Sequence, residues 1–263
     1  MKIALITSNE MRHIFFRRMV NSFKKSSVVF CISETTDSSQ YHQVLKNKES
    51  SLSEKQHFIQ RENTEKDFFE TFVNNSPDPK NIYFLPKGAI NSDTIIQEKL
   101  YISKPDVIVS YGCSIIKNNI IQKFSVKFIN LHLGLSPYYK GSGTNLWPLV
   151  NNEPEYLGIT YMYIDGSIDT GDILHQIRPN IYTYDNVHTI GNRLIKDMTI
   201  ELELLLNKIQ KINSLPQWRI ANEKIYKKKD FSEESLLAMR KNFNNGMLEN
   251  YLSNKKERDK KVP

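Results

Sequence analysis

The feature that most constrains this chain is a series of short β-branched or aromatic runs: "KIALIT" (2–7), "VVFCIS" (28–33), "IYFL" (82–85), "DVIVSYG" (106–112) and "VKFINLH" (126–132). Each is the length of a strand covered on both faces, and the segments between them, such as "SDTIIQEKLYIS", carry helical periodicity. Strands that alternate with helices argue parallel βαβ units.

The expected fold is therefore α/β: a Rossmann-like open, mostly parallel sheet with helices on both faces and a short C-terminal strand–helix appendage. At 263 residues the chain suits one such core over residues 1–212, with 213–263 as the appendage and its charged tail. Ligands of open α/β sheets bind beyond the carboxyl ends of the strands. Tyr111, Gly112, Asn130 and His132 fall at such ends.

No apolar run approaches the roughly 18 residues that span a bilayer, so no membrane association is expected. "MKIALITSNEMRH" has too short an apolar run for a signal peptide and reads as a first strand, which makes the cytoplasm the default compartment. Only Cys31 and Cys113 are present, and both read as buried thiols rather than parts of a disulfide framework or zinc site. The net charge of +7 includes +3 from the tail "KKERDKK", which reads as solvated; the remaining +4 is weak support for nucleic acid, and none is expected as a partner.

Residues 34–65 are polar with few apolar anchors and read as a mobile surface excursion containing one helix. "GITYMYI" (158–164) and "DILHQIRPNIY" (172–182) suit two further strands. From Asp185, a plausible N-cap, apolar residues at Val187, Ile190, Leu194, Met198, Leu202, Leu205 and Ile209 mark a long amphipathic helix. The appendage reads as a strand "KIYKKKDF", then a helix capped by Ser232 with Phe231 stapled against Leu236. Neither a P-loop nor a GxGxxG follows the first strand, which removes support for a nucleoside-triphosphate or dinucleotide site.

The stretch "INLHLGLSPYYKGSGTNLWPL" (129–149) carries the chemistry. Asn130 and His132 point the same way from one strand. An amide donor beside an imidazole suits a developing oxyanion and a moving proton. A carboxylate to orient the imidazole is offered by "DGSIDTGD", where spacing leaves Asp165, Asp169 and Asp172 equally open.

"NLHLGLSPYYKGSGTNLWPLVNNEPEYLGITYMYIDGSIDTGDIL" resembles the signature of the tetrahydrofolate-dependent formyltransferases. That family's pattern is Asn-x-His, a Pro, a Gly four residues later, and a distant L-D-x-G; Asn130, His132, Pro137 and Gly141 match, and Asp169 in "SIDTG" matches the catalytic aspartate. Two departures are Gly134 in place of the family's Ser and Ser136 in place of the Leu before the Pro. The resemblance implies N10-formyltetrahydrofolate as formyl donor, Asn130, His132 and Asp169 as catalytic residues, and Tyr111, Gly112, Cys113, Ser114, Ile115 and Ile116 lining the folate slot. Ordinary core packing is an equal expectation for Ile115 and Ile116.

Within that family the chain looks most like the sugar N-formyltransferases, which act on nucleotide-linked amino sugars for bacterial O-antigen or surface polysaccharide; family members are often homodimers. Methionyl-tRNA formyltransferases share the core but carry a larger C-terminal domain, and a catalytically silent folate- or nucleotide-binding module is the remaining alternative. For the acceptor, Arg12 and His13 at the first helix would meet a diphosphate, although ordinary surface is the slightly stronger expectation for both, with Lys140 and Trp147 as further contacts. Packing in the core is the stronger expectation for Trp147.

Overall fold

In a computed structural model, residues 1–36, 39–218, 220 and 223–262 are described. The order is β1 (Lys2–Ser8), α1 (Met11–Asn21), β2 (Ser27–Thr35), α2 (Gln40–Lys46), α3 (Leu52–Asn75), β3 (Ile82–Pro86), α4 (Thr94–Ile102), β4 (Val107–Tyr111), α5 (Asn118–Ile121) and β5 (Lys127–His132). There follow β6 (Tyr139–Gly141), α6 (Trp147–Val150), β7 (Ile159–Tyr163), β8 (Ile173–Ile177), α7 (Val187–Lys208), β9 (Lys224–Tyr226), α8 (Glu233–Asn244), α9 (Met247–Ser253) and α10 (Lys255–Arg258).

The main sheet runs β3-β2-β1-β4-β5-β7-β8, with the first five strands parallel, β7 antiparallel to β5, and β8 antiparallel to β7. The expected open, mostly parallel sheet is therefore what forms. Its direction of winding reverses between β1 and β4, so their carboxyl ends at Ser8 and Tyr111 open a crevice. Apolar residues of β1, β4 and β5 pack on one face against Phe16, Phe69 and the Leu194–Leu206 stripe, and on the other against Ile96, Leu100 and Ile120. A second core, around Trp147, Leu149, Leu236 and Leu248, joins α6 to the C-terminal helices.

Five expectations are corrected. The polar 34–65 stretch holds two helices rather than one, and α3 continues to Asn75 with a Ser51–Glu54 capping box and buried Phe58, Phe69 and Val73; Asp37 and Ser38 of that stretch lie outside the described residues. Its apolar residues are sparse but fall on one helical face, which suffices for docking. Asn186, not Asp185, caps α7, because Asp185 is engaged by the Arg193 guanidinium at 2.7 Å. The strands of 172–182 and "KIYKKKDF" are shorter than expected, ending at Ile177 and Tyr226. The tail is docked rather than solvated, since Arg258 pairs with the buried Glu155 and Asp259 with Arg178. Cys31 is buried as expected, but Cys113 is half-buried. Among the described residues, no helix is long and apolar enough to cross a membrane, and no cluster of His, Cys, Asp or Glu is placed to hold a metal ion.

Candidate active site

A cleft of about 810 Å³ opens at the carboxyl ends of β1, β4 and β5, within the range of small-molecule sites. Asn130 and His132, in β5, and Asp169, in the β7–β8 turn, meet at its floor. Asn130 Nδ2 donates to Asp169 Oδ1 at 3.2 Å, and His132 Nδ1 lies 3.4 Å from Asp169 Oδ2. The choice that spacing left open is made by geometry: Asp165 is taken up by Ser167 N and Thr170 Oγ1, and Asp172 by Ser214 Oγ.

The loop after β5 returns as β6 and closes the arrangement. Tyr139 presents its carbonyl to His132 Nε2 at 2.9 Å, while the Gly141 N–H donates to Asp169 Oδ2 at 2.8 Å. Both ring nitrogens of His132 thus face acceptors. One hydrogen of the Asn130 amide goes to Asp169, which leaves the other as a free donor. Asp169 itself sits at φ +52°, a conformation a non-glycine residue keeps only when its surroundings impose it.

The 112–116 loop is held from beneath. The buried Glu34, at the end of β2, accepts from Gly88 N at 2.8 Å and from Ser114 N and Oγ at 2.7 and 2.9 Å. Asn91 donates to Ile115 O and accepts from Lys117 N. Ser114 N and Ile115 O are therefore already engaged by the protein itself. Burial and the Glu34 charge push the Cys113 thiol up to about 12. The two isoleucines divide: Ile115 is 65% exposed on the cleft, whereas Ile116 is 3% exposed and belongs to the core.

The four residues expected at the acceptor take different places. Arg12 and His13 line the cleft and are not ordinary surface. Arg12 is paired with Glu65 at 2.7 Å, and burial together with the Arg12 charge holds His13 well below its usual range, so it sits there as a neutral ring. Lys140 is turned away: it is buried, pairs with Glu223 and is not among the residues lining the cleft. Trp147 is buried at the cleft edge, one face covered by Tyr226 at 4.1 Å and 5°. The β6–β9 register decides this, and no local spacing carries it.

Sequence reasoning missed Ser110, Glu34 and Gln217. Ser110 Oγ donates to Asn130 Oδ1 at 3.1 Å and so supports the amide with its nitrogen toward the acceptor Asp169. A serine inside the apolar run "VIVSY" and an acid directly after "VVFCIS" were the available signals for the first two. Gln217, from the segment after α7, had none.

The formyl transferase family profile matches residues 1–203. A methionyl-tRNA formyltransferase from Buchnera aphidicola subsp. Acyrthosiphon pisum (strain Tuc7) is 33% identical over 152 residues, which are 57% of this chain and 44% of that protein. The chain spans less than half the length of the curated relatives it matches. Among solved structures, a 4-N formyltransferase from Francisella tularensis aligns with a TM-score of 0.56 at 16% identity, over 90% of this chain and 86% of that one. An N-formyltransferase from Helicobacter canadensis, in complex with folinic acid and dTDP-3-aminofucose, gives 0.55 at 17% identity over 92% and 81%. With its sheet order, its cleft and a matching profile over three quarters of its length, the chain belongs to the formyl transferase family.

Proposed function

We propose that this protein transfers the formyl group of N10-formyltetrahydrofolate to the amine of a nucleotide-linked amino sugar destined for bacterial O-antigen or another surface polysaccharide. The observation that carries the chemistry is the Asp169 carboxylate gathering Asn130 Nδ2, His132 Nδ1 and Gly141 N at the cleft floor. The solved structures that share the fold across nearly the whole chain, including one described with folinic acid and a dTDP-linked amino sugar, support this acceptor class.

The cleft suits a folate. Ile115 and Ile168 are exposed apolar side chains that line it, a surface for a flat heteroaromatic ring. Beside them, the 111–115 backbone apart from Ser114 N and Ile115 O, which Glu34 and Asn91 occupy and thereby hold the loop in place, is open to the ring's polar edge. When bound, the folate supplies an electrophilic formyl carbon.

The chain's own residues then act on charge and protons. The free Asn130 hydrogen meets the oxyanion that develops as the amine attacks, in a site where a preset donor is worth far more than in water. His132 contributes from Nε2 once that nitrogen leaves the Tyr139 carbonyl, with Asp169 orienting the ring and its charge. The new bond joins the acceptor nitrogen to the formyl carbon, the bond to N10 breaks, and the proton lost by the amine ends on N10 by way of this pair and a water.

A second reading, formylation of methionyl-tRNA, is favoured by the names of the curated relatives. The deciding experiment is a mass-spectrometric screen with N10-formyltetrahydrofolate, a panel of nucleotide-linked 3-amino and 4-amino sugars, and charged initiator tRNA. Gain of one formyl group on a single sugar, lost in His132→Ala, is the expected result. Transfer to the tRNA alone overturns the sugar assignment, and transfer to nothing overturns both.

A further inference from the structure

Two stretches of the C-terminal segment reach the Asp169–His132 pair from different sides. Gln217 Nε2 donates to the Asp169 carbonyl and to the Gly171 carbonyl, each at 2.9 Å. Beside it Leu215 and Ile173 exchange two backbone hydrogen bonds of 2.8 Å, and Ser214 Oγ donates to Asp172. The turn that carries Asp169 is thereby gripped through its backbone, at the residue whose φ of +52° needs outside support.

The second grip acts through β6. That strand has three residues, and its partner in the sheet is β9. Its Tyr139 carbonyl and Gly141 N–H are the groups that meet His132 and Asp169. A strand this short has little position of its own. It is held by Lys224 N donating to Tyr138 O, by Ser142 N donating to Tyr226 O at 2.8 Å, and by the Lys140–Glu223 pair. Asn151 Nδ2 donates to both the Tyr139 and Tyr226 hydroxyls, and Lys224 Nζ reaches Tyr139 OH and Glu153. The approach is so close that a Cβ at Gly141 would lie 2.1 Å from the Tyr226 carbonyl.

We propose that residues 214–217 and 223–226 form a two-point brace for the reacting centre, with Gln217 positioning the Asp169 turn and β9, through β6, positioning His132 against Asp169. The proposal takes these two residues as the reacting centre, as in the function proposed above. Gln217, Lys224 and Asn151 are positioning residues: none of them lines the cleft, so each acts on the geometry without touching a ligand. A misplacement of about 1 Å at a reacting centre costs on the order of a hundredfold in rate, so a partial release of the brace is measurable.

The test uses the full chain with 15N-labelled histidine. Gln217→Leu and Lys224→Met are compared with wild type for the ring 15N resonances of His132 in the ligand-free protein and for steady-state kinetics. Expected are shifted His132 resonances with those of the remote His42 unmoved, and kcat down about tenfold with KM for the formyl donor within about twofold. Lys224→Arg keeps the ion pair to Glu153 and should restore both. Folded variants with unmoved His132 resonances overturn the brace whatever their activity. Shifted resonances in a chain whose wild type transfers no formyl group sustain the brace and overturn the catalytic assignment instead.

Discussion

Ser110 and Asn130 are register partners at the ends of neighbouring parallel strands, and the Ser110 hydroxyl donates to Asn130 Oδ1 at 3.1 Å. The acceptor-only Asp169 carboxylate fixes which end of the amide is the donor, and the Ser110 hydroxyl holds the opposite end in place. Ser110→Ala removes about 0.5–1.5 kcal/mol of orienting energy and should lower kcat roughly two- to tenfold with the fold intact. Steady-state rates check it; an unchanged kcat would show that Asp169 alone orients the amide.

The three carboxylates of the β7–β8 turn separate by mutation. Asn130→Ala and His132→Ala should each cost about a hundred- to a thousandfold in kcat, the usual loss of one preorganised donor. Asp169→Ala removes the acceptor shared by Asn130, His132 and Gly141 and should cost at least as much. Asp165→Ala loses only contacts to Ser167 and Thr170 and should stay active. A folded, inactive Asp165→Ala would place the chemistry on the wrong carboxylate.

Glu34 accepts from two loops beside the cleft, on the side proposed for the formyl donor, with Gly88 N on one oxygen and Ser114 on the other. Gln at this position keeps one acceptor oxygen and turns an NH2 toward the other set of donors. Glu34→Gln should raise KM for N10-formyltetrahydrofolate about tenfold, since one or two hydrogen bonds of about 1 kcal/mol each are lost. The acceptor KM should hold. Equal rises in both constants would mean that the loops move as part of the whole cleft.

The His57 and His188 rings meet between α3 and α7 with centroids 4.6 Å apart and tilted by 53°, and burial holds them down to about 3 and about 4 respectively. Below the unfolded value near 6.5 the unfolded chain binds these protons and the folded chain does not, so stability falls as pH drops from about 6.5 toward 4. Each histidine contributes a slope of up to about 1.4 kcal/mol per pH unit in that window. His57→Phe, which keeps the packing against Phe58 and Phe231, should reduce proton uptake on unfolding by about one. Denaturant titrations at pH 4.5, 5.5 and 6.5 measure it, and an identical pH slope in variant and wild type would show that His57 charges without cost.

Much of the architecture was legible in the chain because its signals are local. The five β-branched runs became five parallel strands, and Ser232 caps its helix with Phe231 and Leu236 in one cluster, since alternation and capping depend on neighbours a few residues away. Helix α3 was misjudged because it has few apolar residues, and those few are useful only where α1, α7 and α8 receive them.

Local patterning was enough for the sheet, for Asn130 and His132 at a strand end, and for a turn with three carboxylates. Which carboxylate they meet depends on long-range pairing, because Asp169 reaches Asn130 across 39 residues through the pairing of β5 with β7. Tertiary contacts also decide that Lys140 and Trp147 turn toward the C-terminal segment, and that Gln217, Tyr139 O and Gly141 N complete the centre. Backbone groups look alike in every residue, so which of them becomes a catalytic neighbour is settled by strand register and chain return, neither of which is written in local spacing.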